Sequence, residues 1–339
     1  MSHLHGSTSN GSPSIEKVPQ ELVHKHAAAE VLLTDWTTHG ANRHTVWARW
    51  PHFHALYRSR DRHFDPLLFV ETVRQTFPLL SHVAYGVPFG SHLVWNDFSF
   101  EVEPQAMLIP QSGAADVVLE ITCSDVRMRK ECLVSMTMHA AVRLNGRHIG
   151  VASTRFTSHS PAVYRRLRGQ YDLGGGDRRA LPLPPALPPA AVGHILRENV
   201  VLAEADADRW QLRVDQDHPV LFDHPVDHAP GMLLLEALRQ AAHVVSPATG
   251  TTVTGMSVTF LGWVELDVPA WVCVAPLRRN ALKAVIEQDG RTRLSGEVTL
   301  DTDPARTLEL PSPMPSRLGT VDDHVIPDGC FAAVSERLG

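Results

Sequence analysis

A helical cluster that occurs twice sets the strongest limit on how this chain can fold. Residues 65–76 read DPLLFVETVRQT and residues 230–241 read PGMLLLEALRQA. Glu71, Arg74 and Gln75 recur, at one constant offset, as Glu236, Arg239 and Gln240. A Glu, an Arg three positions on and a Gln four positions on share one face of a helix. The neighbouring positions are almost all apolar, so that face points into a cavity and not into bulk water. Charged groups in apolar surroundings are costly unless paired or used. Two copies imply two related halves with a site near their junction.

A chain of 339 residues has room for two domains of ordinary size. Its hydrophobic content of 43% and charged content of 20% describe a globular protein with ample core. The net charge of −6 weighs against nucleic-acid binding as the main activity. The opening MSHLHGSTSNGSPSIEK lacks the basic and apolar regions of a secretory signal, so residues 1–20 read as a disordered polar lead. No stretch approaches the roughly 18 apolar residues of a membrane span. Cys123, Cys132, Cys273 and Cys330 have no metal-ligand or redox-motif spacing. The expectation is a cytoplasmic protein that meets neither membrane nor nucleic acid.

Each half shows the same order of elements. Between about residues 21 and 164, two strand-like runs (EVLLTDW, HTVWARW) precede the helix at 65–82. Four further strand-like runs follow, with Asn145-Gly146 placed as a tight hairpin turn. Residues 165–190 are rich in Gly, Pro and Arg and read as a linker. From 191 to 303 the order repeats, and Asp289-Gly290 takes the hairpin place of Asn145-Gly146. Residues 304–339 read as a coil tail rich in Pro and Ser. A helix apolar on nearly every side must be surrounded. A curved antiparallel sheet wrapped around one central helix meets that need: the α+β hotdog fold, here in tandem.

The richest segment for chemistry is HPVLFDHPVDHAPGM, residues 218–232. Three readings compete. Helix capping uses Pro and Asp. A metal site would draw on His218, His224, Asp227 and His228, at a spacing too loose to specify one. Acid–base and carbonyl chemistry has the most support. Gly231 stands at a helix start, where unpaired N–H groups and the dipole favour an oxyanion, and a glycine admits an acyl chain closely. The equivalent position in the first half is Pro66, which has no N–H, so one carbonyl site per chain is expected. His224, with Ser59 at its place in the first half, is a candidate base or acid. Glu71 and Glu236 are either core carboxylates bonded to their own Arg or acid–base groups. Arg74 and Arg239 suit a salt bridge or a phosphate, with Arg239 favoured because it shares a half with Gly231. The basic run Arg165, Arg166, Arg168, Arg178 and Arg179 reads as a solvated linker, or else as a dock for an acidic carrier protein.

At these residues the chain resembles the A-factor biosynthesis family of actinomycetes. The segments that carry the likeness are VHK at 23–25, FDPLLFVETVRQ at 64–75, SPAVYRRLRG at 160–169 and HPVLFDHPVDHAPGMLLLEALRQAA at 218–242. More distantly the last segment is similar to β-hydroxyacyl carrier-protein dehydratases. In those enzymes a His before a Pro-Gly turn and an acid on the helix come from opposite hotdogs. The loop here from His224 to Gly231 is shorter than theirs; on that pattern His224 would face Glu71.

The resemblance implies transfer of a β-ketoacyl group from an acyl carrier protein thioester to the hydroxyl of dihydroxyacetone phosphate. This step leads to butenolide or furan signalling molecules. Glu71, Glu236 or His224 would be the base, Gly231 would hold the oxyanion, and Arg239 would bind phosphate, with Arg74, Gln75 and Gln240 nearby. No metal or organic cofactor is required, because a thioester is already activated. The alternatives are a dehydratase or thioesterase acting on the same pocket, or a non-catalytic acyl- or lactone-binding module. The chain is expected as a monomeric pseudo-dimer or as a homodimer.

Overall fold

The computed structural model describes residues 17–301, apart from 41, 59–61, 172–178, 207–208 and 247–251. The polar lead up to residue 16, the tail, Ser59, Arg178 and Cys330 lie outside the described residues.

Twelve strands form one antiparallel sheet. In the first half they are β1 (Leu33–Thr38), β2 (Arg43–Trp50), β3 (His92–Val102), β4 (Ala115–Arg129), β5 (Cys132–Leu144) and β6 (Arg147–His159). In the second they are β7 (Leu202–Asp206), β8 (Arg209–Leu212), β9 (Val253–Phe260), β10 (Ala270–Arg278), β11 (Ala281–Gln288) and β12 (Arg291–Leu300). The strand order is β1-β2-β4-β5-β6-β3 followed by β9-β12-β11-β10-β8-β7. The second series is the first read backwards, so a pseudo-twofold relates the halves. They join edge to edge through β3 and β9, with Ser99 opposite Ser257 at the middle of that pairing. Pairing the two inner edges removes the open strands that two separate sheets would expose.

Each half wraps its sheet around one long helix: α1 (Pro66–Val83) and, in the second half, Gly231–Val245. Of α1, all but Arg74, His82 and Val83 is buried. Every Leu or Phe fully buried there contributes about 1.5–3 kcal/mol. The sequence signals for the start of α1 hold: Asp65 caps it by accepting from the Leu67 N–H at 2.7 Å, and Pro66 fills the first turn. The two hairpin turns also sit where composition places them. Asn145 and Gly146 (φ 48° and 81°), like Asp289 and Gly290 (φ 53° and 66°), occupy the left-handed region that a two-residue turn requires.

Two features depart from the sequence reading. Lys130 and Glu131 make an equally tight turn between β4 and β5 with φ of 49° and 64°, though neither residue type favours that region. The segment Pro161–Arg168, in part assigned to the linker, is a helix, α2; the helix at Gly231–Val245 is therefore α3. Among the described residues no helix is long and apolar enough to cross a membrane.

Candidate active site

Ahead of each central helix a short 3₁₀ turn swings a basic side chain under the helix. Gln20–Val23 ends at His24 (φ 51°), and Pro189–Val192 ends at Gly193 (φ 75°). The left-handed residue turns the chain so that Lys25 and His194 point inward. Lys25 Nζ lies 3.2 Å from Glu71 Oε1, and His194 Nε2 lies 2.7 Å from Glu236 Oε1. VHK at 23–25 and VGH at 192–194 are thus structural equivalents, and neither Lys25 nor His194 stands out by composition.

Both carboxylates are 1% exposed and fully engaged. Arg74 grips Glu71 with Nε and Nη2, each at 2.8 Å, and Gln75 donates to it at 2.9 Å. Arg239 grips Glu236 in the same way, with Gln240 donating at 2.6 Å. Burial alone would raise the pKa of each carboxyl. Arg74 and Lys25 outweigh it at Glu71, Arg239 and His194 at Glu236, and both stay well below the usual carboxylate range. Ionised carboxylates held this way are weak bases, so their part is to fix cations in place.

Gln75 and Gln240, expected as substrate ligands, are structural. Each is fully buried. Gln75 donates to the Glu30 carbonyl and accepts from the Leu32 N–H; Gln240 does the same with Asn199 and Val201. Their amides tie the central helices to the chain entering β1 and β7.

A cavity of about 450 Å³ lies at the junction, an ordinary size for a small-molecule site. The first half contributes His24, Lys25, Tyr57, Glu71 and Arg74; the second contributes Asp223, His224, His228 and the α3 start at Pro230–Met232. Glu236, Arg239 and Gln240 are not among its walls. Arg239, favoured from the sequence because it shares a half with Gly231, thus lies outside the walls around that helix start. A helix start points away from the carboxylate one turn along its own face, so Gly231 meets the opposite half, where Glu71, Arg74 and Lys25 stand. His224 and Glu71, from opposite halves, both line that cavity.

The two helix starts differ chemically. α1 is closed by the Asp65 carboxylate and Pro66, whereas no side chain caps α3 behind Pro230. The first N–H groups of α3 and its positive dipole end thus face the cavity. Packing also requires a glycine at position 231. A Cβ at this position would lie 2.7 and 2.8 Å from two carbons of the Trp95 ring.

His224, in the cavity wall, is held by a carboxylate. Its Nδ1 donates to Asp223 Oδ1 at 2.6 Å, and Asp223 also accepts from the His26 N–H at 3.0 Å. Burial opposes ionisation of Asp223, yet the bond to His224 and the charge of Lys25 bring its pKa down. A carboxylate on Nδ1 fixes the tautomer and leaves Nε2 as the basic nitrogen.

Other imidazoles, His24 among them, line the same space, with His82 directly behind His24. His82 donates from Nδ1 to the Val87 carbonyl at 2.7 Å, which leaves its Nε2 to accept from His24 at 2.9 Å. Burial, then the neighbouring His82 and Arg74, push the His24 pKa down to about 3. Tyr57 is fully buried, and burial with the charges of Glu71 and Glu236 keeps its phenol protonated far above the usual range. His228 faces the cavity and bonds Asp227 at 2.7 Å. The metal reading finds no geometry: His218 bonds Asn199, His224 bonds Asp223 and His228 bonds Asp227. Among the described residues no three ligand-type side chains converge.

Arg168, expected in a solvated linker, is buried. It forks onto Glu265 at 2.8 and 2.7 Å, bonds Asp227 at 2.9 Å, and stacks 5.0 Å over Trp263. Tyr164, one turn earlier, donates to Asp227 and stacks on His92 at 3.7 Å. Together they bind α2 to the cavity wall.

A family model described as the A-factor biosynthesis hotdog domain matches residues 6–160 and 177–296. A 2-oxo-3-(phosphooxy)propyl 3-oxoalkanoate synthase from Streptomyces virginiae is 42% identical over 261 residues, 77% of this chain and 87% of the relative. A protein of the same name from Streptomyces coelicolor A3(2) is 38% identical over 75% of this chain and 81% of its own. Among solved structures, an acyl-ACP thioesterase from Bacteroides thetaiotaomicron superposes with a TM-score of 0.50 at 9% identity, over 76% of this chain and 98% of the other. At that identity the likeness speaks for the fold alone.

Proposed function

The chain belongs to the A-factor biosynthesis hotdog family, and we propose that it is the acyltransferase that moves a β-ketoacyl group from a carrier-protein thioester to dihydroxyacetone phosphate. The observation that carries this reading is the shared cavity. An uncapped helix start, a His–Asp pair and two buried cations meet there from opposite halves.

The chemistry follows from these groups. Lys25 and Arg74, fixed by Glu71, bind the phosphate of the acceptor. The thioester carbonyl lies at the α3 start, whose N–H groups stabilise the oxyanion that develops on attack. His224 Nε2 takes the proton from the acceptor hydroxyl as its oxygen bonds to the carbonyl carbon. The tetrahedral intermediate then expels the thiol, and the C–S bond breaks as His224 returns the proton to sulfur. The product is the phosphorylated β-ketoester, and no redox partner is involved.

The test compares thioester consumption with and without dihydroxyacetone phosphate, following the ester by mass spectrometry. The proposal requires consumption to depend on the phosphate compound and to match ester formed. Equal loss of thioester in its absence would identify a thioesterase.

A further inference from the structure

We propose that the outer face of α2 is the docking surface for the acidic acyl carrier protein, a step that rests on the transferase reading above. The helix is built inside out. Its polar side chains Tyr164 and Arg168, one turn apart, are buried against the cavity wall. Its apolar side chains Val163 and Leu167, also one turn apart, are 46% and 48% exposed. Arg165 and Arg166, also exposed, extend the outer surface of the helix around from that pair, Arg166 the nearer. A surface helix in a globular domain turns its apolar stripe inward, so an exposed apolar pair flanked by cations marks a face meant for a partner.

The chemistry of that partner follows from the face. Two arginines with no acid in their helix attract a negative surface, although the chain as a whole carries a net charge of −6. The Val163–Leu167 pair calls for apolar side chains beside those negative charges. A helix of a small acidic protein offers both. The diphosphate of a coenzyme A thioester would offer charge alone.

Position agrees with chemistry. Tyr164, on the same helix, lines the cavity, and so does Leu261, which is 57% exposed at its edge. A carrier seated on α2 can therefore deliver its thioester arm directly to the α3 helix start. The Arg168 fork onto Glu265 and Asp227 holds α2 rigid for this purpose.

The decisive experiment measures kcat/KM for the β-ketoacyl group on the carrier protein, on coenzyme A and on a short N-acetylcysteamine thioester. Wild type is compared with Arg165→Glu/Arg166→Glu and Leu167→Ser. Binding of fluorescently labelled carrier protein without an acyl group is measured in parallel. We expect the double charge reversal to lower kcat/KM for the carrier substrate at least tenfold through KM. The same variant should leave the short thioester within about twofold, and carrier binding should weaken in proportion. Leu167→Ser should weaken the carrier substrate alone. Equal losses on all three thioesters, or no loss on the carrier, would overturn the proposal, as would a loss confined to coenzyme A. If wild type turns over none of the thioesters, the transferase reading fails, while the binding arm still decides whether α2 holds the carrier.

Discussion

Gly231 and Trp95 lie against each other across the junction: the first residue of α3 packs on an indole carried by β3 of the other half. With no Cβ on Gly231, the ring seals the end of the cavity. Gly231→Ala places a methyl group less than 3 Å from that ring, so something must shift. The expected cost is about 1–3 kcal/mol, the range for overpacking. Trp95→Leu in the same chain should recover part of it. A double-mutant cycle by denaturant unfolding checks this, and strict additivity of the two changes would refute the contact.

Arg74 and Arg239 look alike in sequence but should behave differently. Arg74 lines the cavity and Arg239 does not. Arg74→Lys should raise the KM for dihydroxyacetone phosphate by roughly 10- to 100-fold, the loss of a hydrogen bond to a charged group. Arg239→Lys should leave that KM within about twofold while lowering stability. Steady-state kinetics at saturating thioester decides between them. A larger KM effect at Arg239 would move the phosphate site to the other cluster.

How much of this was legible in the sequence follows from period and offset. The duplicated Glu-x-x-Arg-Gln pattern announced two halves, and the alternating apolar runs gave the strands, because both signals are local. The absence of an N–H at Pro66 already marked the two helix starts as chemically different. Which cluster shares the cavity with Gly231 was not legible: it depends on how two helices cross a pseudo-twofold, whereas the sequence favoured Arg239 only because it lies in the same half as Gly231. Lys25 and His194 were hidden because each acts from a short turn more than forty residues before its carboxylate. Gln75 and Gln240 misled for a related reason. A buried amide on a helix facing a cavity looks like a ligand until the backbone it ties down is seen. Arg168 lay in a stretch whose composition reads as solvent-exposed linker, and its partners Asp227 and Glu265 are distant in sequence.

Arg168 gives a stability prediction. Its guanidinium and Glu265 are both nearly inaccessible, so Arg168→Ala leaves a buried carboxylate unpaired. The expected loss is about 3–5 kcal/mol. Adding Glu265→Gln should restore part of the loss by removing the stranded charge. Urea unfolding of the two single variants and the double variant measures the coupling.

The pH dependence of stability carries the mark of His24. Its pKa falls from 6.5 to about 3 on folding, through burial and the charges of His82 and Arg74. Between these values the unfolded chain binds a proton that the folded chain does not, so stability falls as pH drops below about 6.5. His44, His92, His159 and His218 shift in the same direction and add to the slope. Glu71 and Glu236, with lowered pKa values, add their own loss only below about 4.5. Thermal unfolding between pH 7.5 and 5 should therefore show a falling midpoint, less steep in His24→Gln. An unchanged slope in that variant would count against a neutral His24.

The measurement closest to the heart of the account is the single-turnover rate of ester formation in His224→Ala, with folding verified by its unfolding midpoint. The Asp223-oriented imidazole is assigned the proton transfer, so the rate should fall by about 10²–10⁴ while binding of dihydroxyacetone phosphate persists. A folded His224→Ala protein that forms ester at the wild-type rate would contradict a composite site built from both halves.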